Sequence, residues 1–506
     1  MSWRVRSWAL GLGMVALGVS NPAQAFCPTK GLRCGLGGSG VTHQEMTKQS
    51  IQELDAEFFG TSELTPSMKQ AIQEIWTANA AVDEDQTNGF KHFDGESFAA
   101  GKQRLITLTD EVKRKLAVGD ATGARSSLGQ ALHTLQDFYS HSTFIESGGR
   151  GALPALWNAS IGLPEVAAPE APTCKPCEGI DCTHNVITPS LTSGYYGGEV
   201  EQPAISSKCR HGGPFDSGRG PRGGINKDTL FPVLSEHSHL HGAAARSARE
   251  ATQQFIRDLK AQLTQSQLEL LLGVGPTLAP ANAVTLLSVT DVGGGDRRFT
   301  LPVDSTLSRV TVSMSGSPSL QLLRPDGSVV KPTDREVEFV SLSTGLVATV
   351  LAPKAGLWTI TTNPSGAYSL TVVGESPVNL DQFTFVEPRG RPGHQGLFRI
   401  QGSPVSGMPM TVAVELSGDI ASVQVELRSK AGVPLRTLHL APDAEGDPLE
   451  LFGSVELPST PFVVYALGTL THGERYQRVI PQVVHPQSVR VPAPPERQER
   501  APTPSP

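Results

Sequence analysis

The spacing of apolar residues divides the chain in two at Gly273-Val274-Gly275-Pro276. Before that point they recur every three or four positions, the period of helices with one buried side. Thr42 and Glu45 stand at capping-box spacing and predict a helix start, with Ile51, Leu54, Phe58 and Phe59 on its apolar side. Further helices are predicted over 66–81, 98–117, 121–145 and, alanine-rich with Phe255, Ile256 and Leu259 inward, 242–272. Beyond the divide the period falls to two. Val310-Thr311-Val312-Ser313-Met314, Ser369-Leu370-Thr371-Val372 and Val423-Gln424-Val425-Glu426-Leu427 read as short strands between turn signals such as Pro325-Asp326-Gly327. The predicted architecture is multidomain: an all-α domain over 26–272, then two all-β immunoglobulin-like sandwiches over 284–376 and 378–488. Residues 147–230 are rich in Gly, Pro, Ser and Cys, lack periodicity and read as an insertion that needs disulfides to stay ordered. Residues 489–506, Pro-rich and charged, are expected to be disordered.

Composition adds a compartment. Arg4 and Arg6, the apolar run from Trp8 to Val19, and Ala23-Gln24-Ala25 have the form of an export signal over 1–25, so the mature chain is expected to begin at Phe26 and to be secreted or periplasmic. No later apolar run reaches the roughly 20 residues that a spanning helix needs, and no transmembrane segment is expected. A net charge of -7 argues against a nucleic-acid binder that relies on a broad basic field. All six cysteines, Cys27, Cys34, Cys174, Cys177, Cys182 and Cys209, follow the cleavage site, and their even number in an exported chain favours disulfides. Cys27 with Cys34 is the expected local pair. Cys174-Lys175-Pro176-Cys177 could instead be half a zinc knuckle, although a second CxxC is missing.

The candidate chemistry concentrates in Ala131-Leu132-His133-Thr134-Leu135-Gln136-Asp137-Phe138-Tyr139-Ser140-His141. Helical residues four and eight apart fall within roughly 80° of one another, so His133, Asp137 and His141 share one face. A helix offering imidazole and carboxylate at that spacing supplies zinc ligands at little further ordering cost. The remaining ligands must come from elsewhere. His43 falls in the first turn of the first helix, where a histidine is ordinarily solvated unless the fold aims it at a site. Asp83 and His92, at the rim of the second helix, fit a metal cluster and an ordinary acidic loop equally. In Glu236-His237-Ser238-His239-Leu240-His241, His237 and His241 are again four apart. At least one is expected to face His133 and Asp137, the alternative being a polar helix cap.

Taken in chain order, His43, Asp83, His92-Phe93-Asp94, His133 with Asp137 and the late histidine cluster are similar to the motifs of zinc-dependent phospholipase C and the related fungal zinc nucleases. The string from Leu132 to Ser142, Leu191-Thr192-Ser193-Gly194-Tyr195 and Gly224-Ile225-Asn226-Lys227-Asp228 resemble more closely the Het-C-type amino-terminal domain of von Willebrand factor A domain-containing proteins, over roughly residues 26–270. The resemblance implies a zinc phospholipase C-like helical domain that carries up to three zinc ions and cleaves phosphodiesters. By that resemblance His92, His133, Asp137 and Asp83 hold one ion, and Asp137 bridges to a second held by His43 and by the amine and carbonyl of Phe26. His141 with His237 or His241 would hold the third, and Asp83 would also orient or deprotonate the attacking water. Three departures stand out: Phe26 replaces a tryptophan, Asp83 lies nearer to His92 than its counterpart does, and the last ligand pair is HxxxH rather than HxxxE.

The β-rich part resembles the region that follows the A domain in those larger proteins, with no A domain between. Asp304-Ser305-Thr306-Leu307-Ser308 spells a DxSxS metal motif, but Pro302 precedes it and no long apolar strand leads in. The expectation is a secreted zinc-dependent phosphodiesterase acting on phospholipid or another phosphodiester, with the sandwiches contacting a membrane surface. The alternative is a non-catalytic extracellular adhesion or recognition protein with structural zinc only.

Overall fold

The computed structural model of the chain describes residues 26, 28–29 and 40–488, apart from breaks at 61–63, 86–87, 180–181, 198–202, 204, 214–215, 275–281, 317–318, 343–344, 390–395 and 443–446. The export signal, the Cys27–Cys34 pair and the tail over 489–506 lie outside the described residues. A helical part comes first and a many-stranded β part, in several sheets, follows.

Helix α1, His43–Phe59, begins as its capping box dictates: the Thr42 hydroxyl accepts from the Glu45 amide while the Glu45 carboxylate accepts from the Thr42 amide. Helices α2 (Pro66–Ala80), α3 (Phe98–Ala117) and α5 (His241–Lys260) pack around α4 (Ala121–His141). From Ser127 to His141 every residue of α4 except Gln130 is buried, which makes it the central helix of the bundle. Its backbone meets α2 so closely that a Cβ on Gly129 would stand 2.2 Å from the Ile75 carbonyl oxygen. Helix α4 stops at His141, short of the expected 145, because Ser142 turns extended and bridges to Ser193 of the insertion. The single helix expected over 242–272 is two. Thr264 and Gln267 form a second capping box that starts α6, Gln265–Leu272, and Arg125 donates to the Leu270 and Leu271 carbonyls at its end.

One buried group on α1 stands apart. The Asp55 carboxylate is buried, neither of its oxygens has a hydrogen-bond partner among the described residues, and burial pushes its pKa up to about 7. The insertion between α4 and α5 is tied by Cys174–Cys209 and Cys177–Cys182. Both sulfurs of the CxxC are thereby consumed, so the zinc-knuckle alternative is set aside.

The first β region packs a five-stranded antiparallel sheet, in the order Ala283–Asp291, Tyr368–Glu375, Arg309–Ser315, Gly345–Leu351, Val337–Leu342, on a three-stranded one through a core that includes Val312, Leu370, Leu301 and Trp358. The second pairs Asn379–Arg389 with Gly396–Arg399 on one side and Pro409–Ser417 on the other, and covers that sheet with a four-stranded one built on Ile420–Ser429 and Phe462–Leu470. The two regions share a buried seam. Arg478, fully buried, donates to Asp304 (2.9 Å), Ser376 (2.8 Å) and the carbonyls of Val378 and Gln477. Asp304 is thus committed to a guanidinium rather than to a DxSxS metal. The second region also docks on the helices through ion pairs Lys48–Glu415, Lys69–Asp381 and Glu84–Arg389.

Candidate metal centre

One face of α4 carries His133, Asp137 and His141, as the spacing predicts, and all three are fully buried. Around Asp137 the bundle gathers His43 from the first turn of α1, Asp83 from the 3-10 turn Ala81–Glu84 after α2, and His92 from the turn before α3, each also fully buried. Asp137 Oδ2 lies 2.8 Å from His92 Nδ1 and 3.0 Å from His133 Nε2, and those two nitrogens are 3.2 Å apart. Asp83 Oδ1 stands 3.6 Å from His133 and 3.9 Å from His92. His43 Nε2 faces the other oxygen of Asp137 at 3.0 Å.

Donor atoms about a tetrahedral zinc at about 2.0–2.2 Å stand about 3.3–3.6 Å from one another, and the separations above bracket that spacing. The acceptors behind the rings set their tautomers. Gln136 Oε1 takes the proton of His43 Nδ1 (2.7 Å) and Asn79 Oδ1 that of His133 Nδ1 (3.2 Å), so both Nε2 atoms present lone pairs to the site. Gln136 and Asn79 are themselves held by Thr47. His43 Nε2 and Asp137 Oδ1 are buried and face each other at 3.0 Å with no further hydrogen-bond partner among the described residues, as two ligands of a shared cation would. The residues present therefore fit a metal ion.

A second group adjoins the first. His141 lies 3.2 Å from Asp94 through Nδ1 and 3.2 Å from Asp228 through Nε2, and His211 lies 3.7 Å from Asp228. Asp94, His141 and His211 converge as a second possible metal-holding set. His92 and Asp94 reach separate groups because Phe93 between them adopts φ 55°, with its ring buried against Phe98 and Phe138.

Burial works against charge at His43, His133, Asp137 and His141. His43 is nevertheless held above its ordinary value by Asp137 and Asp83, while burial takes His133 well below its own. Burial would raise Asp137, but the surrounding histidines, His133 foremost, hold it well below the usual carboxylate range. Burial likewise opposes a proton on His141, yet Asp94, Asp228 and Asp137 raise it well above its ordinary value.

The remaining sequence candidates are not among the converging groups. Phe26 is buried with its ring 5.7 Å from that of His43 and 5.5 Å from that of His241. His241 Nδ1 donates to the Lys227 carbonyl (2.7 Å) and its Nε2 accepts from the Val41 amide (3.0 Å). His237 sits between Glu146 (2.6 Å) and Asn185 (2.8 Å), beside a cavity of about 790 Å³. The partners of His141 are instead Asp94, His211 and Asp228. Asp228 ends one of the strings that carry the family resemblance, whereas His211 lies in the aperiodic insertion, where spacing holds no signal.

Comparison with known proteins finds similarity over parts of the chain. Residues 48–269 match the VWA7 N-terminal domain family, and residues 283–377 match a family described as hemicentin galactose-binding domain-like. The chain is 35% identical over 272 residues to von Willebrand factor A domain-containing protein 7 of Mus musculus, which takes in 53% of this chain and 30% of that protein. It is 38% identical over 230 residues to the Homo sapiens protein of the same name, covering 44% of this chain and 26% of that one. To Hemicentin-1 of Mus musculus it is 28% identical over 206 residues, 39% of this chain and 4% of that one. The chain thus spans less than a third of the relatives it matches. A solved Bacillus licheniformis lipase, BlEst2 in propeptide form, aligns with 47% of each chain at 14% identity and a TM-score of 0.19, too low to carry an argument.

Proposed function

We propose that this chain, homologous over its helical half to von Willebrand factor A domain-containing protein 7, is an exported zinc-dependent phosphodiesterase with phospholipid as the favoured substrate. One observation carries the reading: a fully buried carboxylate, Asp137, is met by three imidazoles, with a second carboxylate, Asp83, beside it. Bound there, zinc would lower the pKa of a water and neutralise the phosphoryl oxygens under attack. The chain's own part is positional. Asn79 and Gln136 hold two imidazoles with Nε2 toward Asp137, and the His92 carbonyl holds His141. To Asp83 we assign the orientation of the attacking water and the acceptance of its proton. The helical domain is read as zinc phospholipase C-like, and the β regions as immunoglobulin-like sandwiches that hold the protein at a membrane surface. Export accords with the two disulfides, and no described helix is long and apolar enough to cross a membrane.

Complete burial of the ligands favours a second reading, a non-catalytic extracellular recognition protein, because structural metal sites are closed whereas catalytic ones keep a position open. Zinc analysis of the protein beginning at Phe26, followed by release of phosphorylated headgroups from phosphatidylcholine vesicles, separates the two. The enzyme binds zinc and turns over, and His133→Ala with Asp137→Ala removes both properties. Zinc without turnover supports the recognition protein. Absence of zinc from the parent protein defeats both readings.

A further inference from the structure

The second β region reaches the metal centre through two segments that belong to it. One is the arm that carries Phe26, whose ring lies against His43. The Pro28 carbonyl of that arm accepts from the amide of Gln44, the residue after His43. The arm's outer side is held by the strand Gly396–Arg399. The Leu397 amide donates to the Thr29 hydroxyl (3.2 Å), which in turn donates to the Leu397 carbonyl (3.1 Å). Gly396 lies so close to Pro28 that a Cβ there would stand 2.5 Å from the proline ring. The other segment is the short turn Ala81–Glu84, which presents Asp83. Its next residue, Glu84, pairs with Arg389 at 2.5 Å, and Arg389 is steadied by donating to the Arg399 carbonyl at 2.8 Å. A single strand pair, Asn379–Arg389 with Gly396–Arg399, therefore grips both segments from outside the bundle.

From this geometry we infer that Arg389 and Thr29 are positioning residues of the metal centre, through which the second β region sets the affinity of the helical domain for its ion. The inference rests on the metal reading proposed above. Neither residue is among the converging ligands, so each acts through a neighbour: Arg389 through Glu84 on Asp83, Thr29 through the arm that backs His43. Groups hydrogen-bonded to the ligands typically govern metal affinity by 10- to 100-fold, and Arg389 and Thr29, one neighbour further out, act at the lower end of that range.

The test uses the full mature chain, with zinc affinity read by competition against a chromophoric chelator and unfolding temperature read in EDTA. Arg389→Met and Glu84→Gln should each weaken zinc binding by about tenfold, and the double variant should be no weaker than either alone. Arg389→Lys, which keeps a cation opposite Glu84, should recover part of the loss. Thr29→Val, nearly the same shape without the hydroxyl, should weaken binding with no charge altered. Lys69→Met removes the ion pair with Asp381 in the same interface, away from both segments, and should leave affinity unchanged. Parent-like affinity in Arg389→Met, or an equal loss in Lys69→Met, would overturn the inference. A parent protein that binds no zinc at all defeats the metal reading first, and the two failures are distinguishable.

Discussion

Replacing Asp55 by Asn should shift the stability of the helical domain in the variant's favour as pH rises. Burial raises this carboxyl from an ordinary 3.8 to about 7, so the folded state holds the proton more tightly than the unfolded chain does. Stability is therefore undiminished below pH 3.8, falls as pH rises through the window to about 7, and levels off above it. At 1.36 kcal/mol per pH unit the folded state forfeits about 4 kcal/mol by pH 8 and about 1.7 kcal/mol at pH 5. An asparagine does not titrate. Whatever constant cost its amide carries in the same place, the gap between Asp55→Asn and the parent should widen in the variant's favour by about 2.5 kcal/mol from pH 5 to pH 8. Urea unfolding followed by circular dichroism at 222 nm reads the helical transition, with EDTA in both samples so that metal binding contributes equally. Parallel pH profiles for the two proteins would refute the reasoning, since they would mean that Asp55 ionises in the fold as it does in water.

Other perturbations have separate expected outcomes. Arg478→Met leaves Asp304 buried without its cation and should cost about 3–5 kcal/mol, seen as an earlier thermal transition of the β regions; an unshifted transition would argue against the seam. Opening Cys174–Cys209, which spans 35 residues, should cost about 4 kcal/mol, against about 2 kcal/mol for Cys177–Cys182, which spans 5. Melting temperatures of the paired serine variants check that order. Gly129→Ala should destabilise by about 1–3 kcal/mol, because its methyl group meets the Ile75 carbonyl, and calorimetry should find the change.

Local chemistry was legible in the sequence where the period of an element carried it. The Thr42–Glu45 capping box, the single face of His133, Asp137 and His141, and the change of period after Gly273 all depend on residues a few positions apart. The convergence of His43, Asp83 and His92 on Asp137 came from resemblance, since Asp83 and His92 fitted an acidic loop equally and a histidine placed as His43 is ordinarily solvated. The meeting of His211 and Asp228 with His141 was out of reach of spacing for a physical reason. They lie in a segment without periodicity, and Asp228 meets His141, 87 positions earlier in the chain, because backbone bridges and disulfides fold that segment back onto α4. Asp304 shows the reverse error that spacing invites: a metal-motif string whose carboxylate is spent on Arg478, 174 positions away.

The sealed setting of the ligands has a kinetic consequence. His43, Asp83, His92, His133 and Asp137 have no exposed surface, so an ion can enter or leave only when part of the bundle or the arm at Phe26 swings away. Loss of zinc to a chelator should then follow a rate that stops rising once the chelator is abundant, the plateau being the opening rate of the protein itself. Substrate would face the same door, and an enzyme built this way would work at the pace of its hinge.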